Sequence, residues 1–503
     1  MRRFVALAAL LAAFAAPAAD ELPKYGVSPL LPPEHWAVRA AARLDGVGLV
    51  TGWLPANQAA PMYMVWAALD EGARRAETER PALAATAKGW KEKFQQEWRG
   101  IDEKGLLRFI GGQASVGYEY AAVSPTPGPP PEAWSLTPQQ VNSPVLSVAA
   151  AGALSDYLAA LVAPVGTTWQ LRWAGEIVTG IGPVSLSVGR APSQTGFGSP
   201  GSGVVLGGEA FHDRVAFQIY RPLDIYIGLL TLDVSLARVG EPTQSPNALL
   251  WEWALQYQPV PRLTFALQSG IKMGGATWEA LTGSPFTFND FWRAITYRPS
   301  TSLAGQMNNG YENNIFSLSG RWRLPTESWV PLTVYFDWGT DDNGGAWMQA
   351  PGIDAGIFVP ALPFAPEVAV GLEVSFFGEI CKERTDSSFC RSPDQPLRWY
   401  THTYYPWTTG NLPLGHRMGG NGREFLLYAA ADLLDARLLI RGDVFLRDRF
   451  SQNLYSPYSG QSAGFDLQAT WRLGIGEVGV SGNVEAASGW TAGGFGVHAT
   501  VFF

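Results

Sequence analysis

From about Leu106 to Phe503 the chain alternates apolar and polar residues with a period of two. In "WEWALQYQP" Trp251, Trp253, Leu255 and Tyr257 share one face, opposite Glu252, Ala254 and Gln256. In "RLTFALQSG" Leu263, Phe265 and Leu267 oppose Thr264 and Gln268, and in "RLLIRGDVFLR" Leu438, Ile440, Val444 and Leu446 oppose Arg437, Arg441, Asp443 and Arg447. Successive strand side chains point to opposite faces, so each of these stretches is a strand with one apolar side. Between residues 32 and 100 the period is helical instead. Trp36, Ala40 and Leu44 fall four apart, Met64, Ala67 and Leu69 begin a second face, and Gly48 with "TGWLP" separates the two.

Half-apolar strands build either a soluble sandwich or a membrane barrel. Segments of about ten residues, repeated with Trp or Tyr at many ends, fit a barrel. So does the alternation of long polar loops (273–312, 379–396) with tight connections such as "QPVPR" and "LLDAR". We therefore expect an all-β transmembrane barrel over residues 105–503, with about 18 antiparallel strands (16 is the alternative), since a closed bacterial barrel has an even number and no edge. Residues 20–104 are expected to form a small periplasmic α-helical module. The chain ends "GFGVHATVFF", with Val497, Ala499, Val501 and Phe503 on one face. A last strand closing on Phe resembles the signal read by the barrel insertion machinery, which with outer-membrane lipid is an expected partner.

The first residues agree with that address. Arg2 and Arg3 precede the apolar run "FVALAALLAAFAA" and a small-residue A-x-A pattern at Ala16 and Ala18. This predicts a signal peptide over residues 1–19, because the run is shorter than the roughly 20 residues a spanning helix needs. Charged residues are 16% of the chain, below the roughly 25% usual for soluble domains. A net charge of -8 argues against nucleic acid. Cys381 and Cys390 flank the polar "KERTDSS" without a neighbouring histidine, so they predict a disulfide pinning an extracellular loop rather than a zinc site.

One stretch concentrates unusual chemistry: "PLRWYTHTYYPWTTGNLPLGHRMGGNGRE", residues 396–424. His402 and His416 have no Asp, Glu or Cys at ligand spacing beside them, and no G-x-S-x-G occurs in the chain, so neither metal nor cofactor is expected and no hydrolase is indicated. The stretch resembles the Wzi family of capsule assembly proteins. Tyr400, His402 and Tyr405 correspond to a strand core, and Leu414, Gly415, His416, Gly419 and Gly420 to a "lGH.lGgd" turn whose acid is here Asn421. Further likenesses follow in order. "VGRAPSQTGFGSPGSG" carries Phe197, Gly198, Ser199, Pro200 and Gly201 in an altered glycine-rich turn, "QPVPRLTFALQSGIKMGG" ends at Gly274 and Gly275, and "LTVYFDWGTDDNGG" holds Asp337, Asp341 and Asp342.

The resemblance implies a monomeric barrel of about 18 strands that binds capsular or other surface polysaccharide and catalyses nothing. Trp399, Tyr404, Tyr405, Trp407, His416 and Arg417 are the candidate sugar contacts, through ring stacking and directional hydrogen bonds. For any single ring an interfacial girdle is the equal alternative. "HWAVRAAARLDGVGLVTGWLP" also resembles one S-layer homology repeat, which would grip peptidoglycan or another wall polymer. A porin anchored by that module is the rival reading, with Arg437, Arg441, Asp443 and Arg447 lining a charged lumen.

Overall fold

The computed structural model describes residues 26–55, 58–124, 143–167, 171–240, 245–296, 312–341, 351–378, 399–402, 404–409, 412–451, 453–455 and 458–503. The expected signal peptide and both cysteines lie outside them.

The period-two region closes into one barrel of 18 antiparallel strands. The first six are β1 (Leu107–Ser124), β2 (Ser143–Leu154), β3 (Leu158–Thr167), β4 (Leu171–Ile181), β5 (Val184–Gln194) and β6 (Gly207–Asp224). Then come β7 (Leu229–Val239), β8 (Ala248–Val260), β9 (Leu263–Met273), β10 (Asn313–Arg323), β11 (Thr333–Asp341) and β12 (Gly352–Val359). The last six are β13 (Val368–Phe377), β14 (Gly422–Asp432), β15 (Leu438–Arg449), β16 (Gly460–Arg472), β17 (Gly476–Ala487) and β18 (Thr491–Phe502). Each pairs with its neighbour in sequence, and β18 returns to β1 with Phe502 opposite Gln113 and Thr491 opposite Ser124. Phe503 completes the seam: its N–H donates to Gly112 O (2.9 Å), and the Gly112 N–H returns the bond (2.9 Å).

The alternation sorts the wall as the sequence predicts. On β8 Glu252, Ala254, Gln256 and Gln258 are buried inward. Val116, Leu146, Ile177, Val188, Val215, Phe265, Leu267, Phe425, Leu427, Val444, Leu446, Phe465 and Val480 point out from their strands and are exposed. Such an apolar band around a closed barrel is what lipid tails solvate, and closure leaves no strand edge unpaired in the hydrocarbon.

The helical module comprises α1 (Trp36–Gly46), α2 (Met62–Glu79) and α3 (Pro81–Glu97). It sits in the short-turn mouth. Trp90, Phe94, Leu44 and Val65 are fully buried in one cluster with Ala151, Ala153, Ala159, Val178, Tyr220 and Ala361 of the wall and its turns. Alanines at those wall positions leave the helices room, and each large side chain buried there contributes about 1.5–3 kcal/mol. Polar ties run round the rim. Arg43 donates to Pro360 O (2.9 Å), Pro366 O (3.2 Å) and the Asp432 carboxylate, Asp45 meets Arg321 (3.0 Å), and Lys93 meets Glu477 (3.2 Å). The S-layer-like stretch is therefore corrected: its apolar face is spent on the barrel mouth rather than offered to a wall polymer.

Two further helices, α4 (Gly275–Thr282) and α5 (Phe288–Ile295), lie where the sequence predicts only a polar loop.

Candidate functional site: two loops folded into the lumen

The segments 195–206 and 399–421 turn inward at the long-loop end and pack on each other. Residues 399–421 are expected to include a barrel strand, and this too is corrected: among the described residues the region holds only a two-residue pairing, Thr408–Thr409 with Leu412–Pro413. Backbone bonds zip the two segments together. Gly207 N donates to Leu414 O (2.6 Å) and Arg417 N to Gly201 O (2.7 Å). Side chains add to the zip: Tyr400 OH donates to Val204 O (2.6 Å) and Trp407 Nε1 to Val205 O (2.7 Å). Glycine is required where they meet. A Cβ on Gly415 would lie 2.3 Å from the Tyr400 hydroxyl, and Gly419 and Gly420 hold φ of +86° and +84°.

Around that zip the aromatic residues form a lumenal core. Trp399, Tyr400, Tyr405, Trp407 and Met418 cluster with Val204, Leu206, Leu250, Ile315 and Phe377. Tyr405 OH donates to Gly274 O (2.8 Å), Asn313 Nδ2 donates to Tyr405 O (2.8 Å), and Lys272 Nζ donates to Pro406 O (2.7 Å) and Thr408 O (2.6 Å). Asn421 Oδ1 accepts from Trp399 N (3.2 Å). An amide oxygen thus does there what a carboxylate oxygen could do.

The polar half of the plug centres on Arg417. Its Nη2 donates to Glu373 Oε1 (2.8 Å) and Glu424 Oε1 (2.6 Å), and its Nη1 to Ser199 Oγ (2.8 Å) and Pro200 O (2.9 Å). Glu424 also takes a bond from Arg447, which reaches Glu485 (3.1 Å), and Arg449 binds the same Glu485 (2.5 Å). Glu373 Oε2 accepts from Ser199 N (2.8 Å) and Tyr335 OH (2.8 Å). Buried charges persist only when paired and hydrogen-bonded, and this chain of pairs welds both loops to β13, β14, β15 and β17.

His416 is linked to Asp354 through Ser375. Met418 N–H donates to its Nδ1 (3.1 Å), so Nε2 carries the proton and donates to Ser375 Oγ (3.0 Å), which donates to Asp354 Oδ1 (2.7 Å). Burial, with Arg417 and Arg447 beside it, pulls the imidazole pKa down to about 3 against the pull of Glu424. Asp354, Glu373 and His416 bring ligand-type atoms within 4.8 Å of one another, a grouping hidden from the sequence spacing. They could hold a cation only if rearranged, because the Glu373 oxygens and His416 Nε2 are engaged in the bonds just described. As arranged, His416, Ser375 and Asp354 form a hydrogen-bonded latch beside Glu373.

Among the sequence candidates, Trp399, Tyr405, Trp407 and His416 are at most 1% exposed. A ring packed on both faces has none left for a sugar, so in this conformation these four side chains pack the plug. Arg417 is spent on the plug. Tyr404 is 36% exposed at the outer surface. His402 Nδ1 accepts from Tyr405 N (3.0 Å) and Tyr404 N (3.3 Å), fixing that turn. Arg441 and Asp443 pair (3.3 Å), and Arg441 borders two lumenal cavities of about 190 and 430 Å³ beside the helical module. Arg447 is buried in the plug network, whereas Arg437 is exposed in the short turn after β14, outside the lumen. Sequence reasoning missed Glu373, Glu424 and Glu485, and placed Ser199 in the glycine-rich turn without a partner. The available signal was a lone carboxylate in an otherwise apolar strand, as in "VAVGLEVSFF".

The family model for Capsule assembly protein Wzi matches residues 216–484, more than half of the 503. Among solved structures, the chain is similar to Wzi of Escherichia coli, an outer membrane protein involved in group 1 capsule assembly and a carbohydrate-binding β-barrel. The TM-score is 0.67 at 15% identity, over 94% of this chain and 99% of that one. OprD of Pseudomonas aeruginosa is more distant, with TM-score 0.45 and 10% identity over 78% of this chain and 93% of its own. No curated protein sequence matches.

Proposed function

This chain belongs to the Wzi family of capsule assembly proteins, and from that premise we propose that it is a non-enzymatic outer-membrane barrel that holds surface polysaccharide at its extracellular end. The observation that carries this reading is the buried plug. Loops welded into the lumen by ion pairs and an aromatic core oppose free passage and present a fixed outer face. Preorganised surfaces bind sugars well because little side-chain order remains to be lost on binding. On that face Tyr404 offers a ring for stacking, while the Arg238–Asn247 and Arg423–Asp448 pairs, on the outside of the wall at its rim, offer planar donors and acceptors for hydroxyls beside it. Trp399, Tyr405, Trp407, His416 and Arg417 serve the same site indirectly, by fixing the loops that carry it.

Deleting the gene should shed polysaccharide from the cell surface. Restoring it with Tyr404→Ala should recover less than the unaltered gene does. The purified barrel should bind the glycan and show no steady conductance in planar bilayers. Full retention in the deletion strain, or steady conductance without glycan binding, would favour the porin reading.

A further inference from the structure

The segment 274–296 does not extend into the aqueous space above the barrel. It folds back over the outside of the wall. Ile271 and Met273 on β9 are outward-facing positions, like the exposed Phe265 and Leu267 on the same strand, yet they are 1% and 0% exposed. What covers them is α5: Ala294 joins them in a small apolar cluster with Phe286, Phe291, Ile295, and Leu249 and Trp251 of β8. Phe291 meets Trp251 edge-on (5.5 Å, 86°), and Trp278 of α4 meets Phe286 in the same way (5.1 Å, 80°). A capping box at Thr287 and Asp290 starts α5 despite its short length.

The height of this flap can be read along β8. Tyr257 lies near the short-turn end, its hydroxyl donating to Ile227 O (2.6 Å). Leu249 is eight residues further up the strand. At about 3.4 Å per residue and a tilt of roughly 40°, that places Leu249 roughly 20 Å above Tyr257 along the barrel axis. The apolar band of such barrels is about 25 Å tall, so the flap covers wall that lies within the outer leaflet. Its exposed residues include the polar Glu279, Ser284, Thr287 and Asn289, and Phe288 is the large apolar side chain among them. Phe288 is 76% exposed, its ring 6.1 Å from that of Phe291, and it continues the lipid-facing band rather than interrupting it.

We propose that α4 and α5 form an interfacial flap whose apolar side, led by Phe288, inserts among the acyl chains of outer-leaflet lipid, so that this long loop grips the membrane rather than polysaccharide. Short amphipathic helices with aromatic residues on one side lie at the headgroup and acyl boundary for the same reason. The inference does not depend on the sugar reading, because its readout is lipid contact alone.

The test places benzoylphenylalanine at position 288 of the full chain, in phosphatidylcholine vesicles, and weighs the irradiated protein. The same probe at Val215, on the lipid band, and at Tyr404, on the outer surface, supplies the references, and heat-dependent gel migration checks that each variant is folded. A lipid-adduct yield at 288 matching that at 215 and several-fold above that at 404 supports the flap. A yield no higher than at 404, or cross-links mainly to a second copy of the chain, overturns it.

Discussion

At the short-turn end the chain closes its barrel with regular helices, burying Trp90, Phe94 and Leu44 against alanines of the wall and setting its buried charges, Arg43, Asp45 and Lys93, in pairs around that apolar core. At the long-loop end it uses irregular loops and makes a continuous chain of buried charges half of the closure: Arg417 between Glu373 and Glu424, then Arg447 and Arg449 on Glu485. The first closure draws on apolar area, which is non-directional and tolerates small shifts. The second draws on paired charges and ring-to-backbone hydrogen bonds, which demand one geometry and fail abruptly when a partner is removed. A helical module can thus seat a barrel robustly, while a surface that must present a fixed shape is better held by directional bonds.

The sharpest break in that comparison is Arg417→Ala. It leaves Glu373 and Glu424 buried with fewer counter-charges, and breaking a buried pair costs about 3–5 kcal/mol. We expect the loops 195–206 and 399–421 to become sensitive to protease while heat-dependent gel migration still reports a folded barrel. Unchanged protease resistance would show that the aromatic core alone holds the plug. At the other end, Gly89→Val should cost about 1–3 kcal/mol by overpacking. Its Cβ would fall 2.1 Å from Asp435 O, so α3 must move off the turn. Protease sites in α2 and α3 should open without exposing the loop plug, and loss of both closures together would show that they are coupled.

The contrast also separates what the sequence reveals from what it hides. Period-two alternation makes the strands and their faces legible and narrows their number to 18 or 16, and period 3.6 makes the module legible, because each pattern reports a local geometry. The plug is not legible in that way. Arg417 meets Ser199 across 218 residues, and aromatic residues with glycines look alike whether a loop faces water or a lumen. The same ambiguity hid α5, since the stripe of Phe288, Phe291, Trp292 and Ile295 is only two turns long and stands among polar residues. The resemblance of "YTHTYY" and "PLGHRMGG" to a family pointed to the stretch that forms the plug, while burial shows which of its residues are packed inside that plug.

The smallest expected effect concerns acid. The imidazole of His402 accepts two backbone N–H groups at Nδ1 and therefore must stay neutral to keep them. Burial, and then the ammonium of Lys272, pull its pKa from 6.5 down to about 4. Because the folded pKa lies below the unfolded one, the unfolded loop binds the proton first, and stability falls as pH drops from about 6.5 towards 4. At pH 5.5 a single group displaced by this much contributes about 1 kcal/mol of loss, reduced further by the partial exposure of the ring. His402→Asn keeps an acceptor oxygen at nearly the same place and cannot take up the proton. Protease sensitivity of residues 399–409 should therefore rise between pH 6.5 and 5 in the unaltered protein and stay flatter in the Asn variant. Identical pH profiles would assign the acid response to the buried carboxylates of the plug, and so place the weak point of the long-loop closure in its charge network rather than in its outer turn.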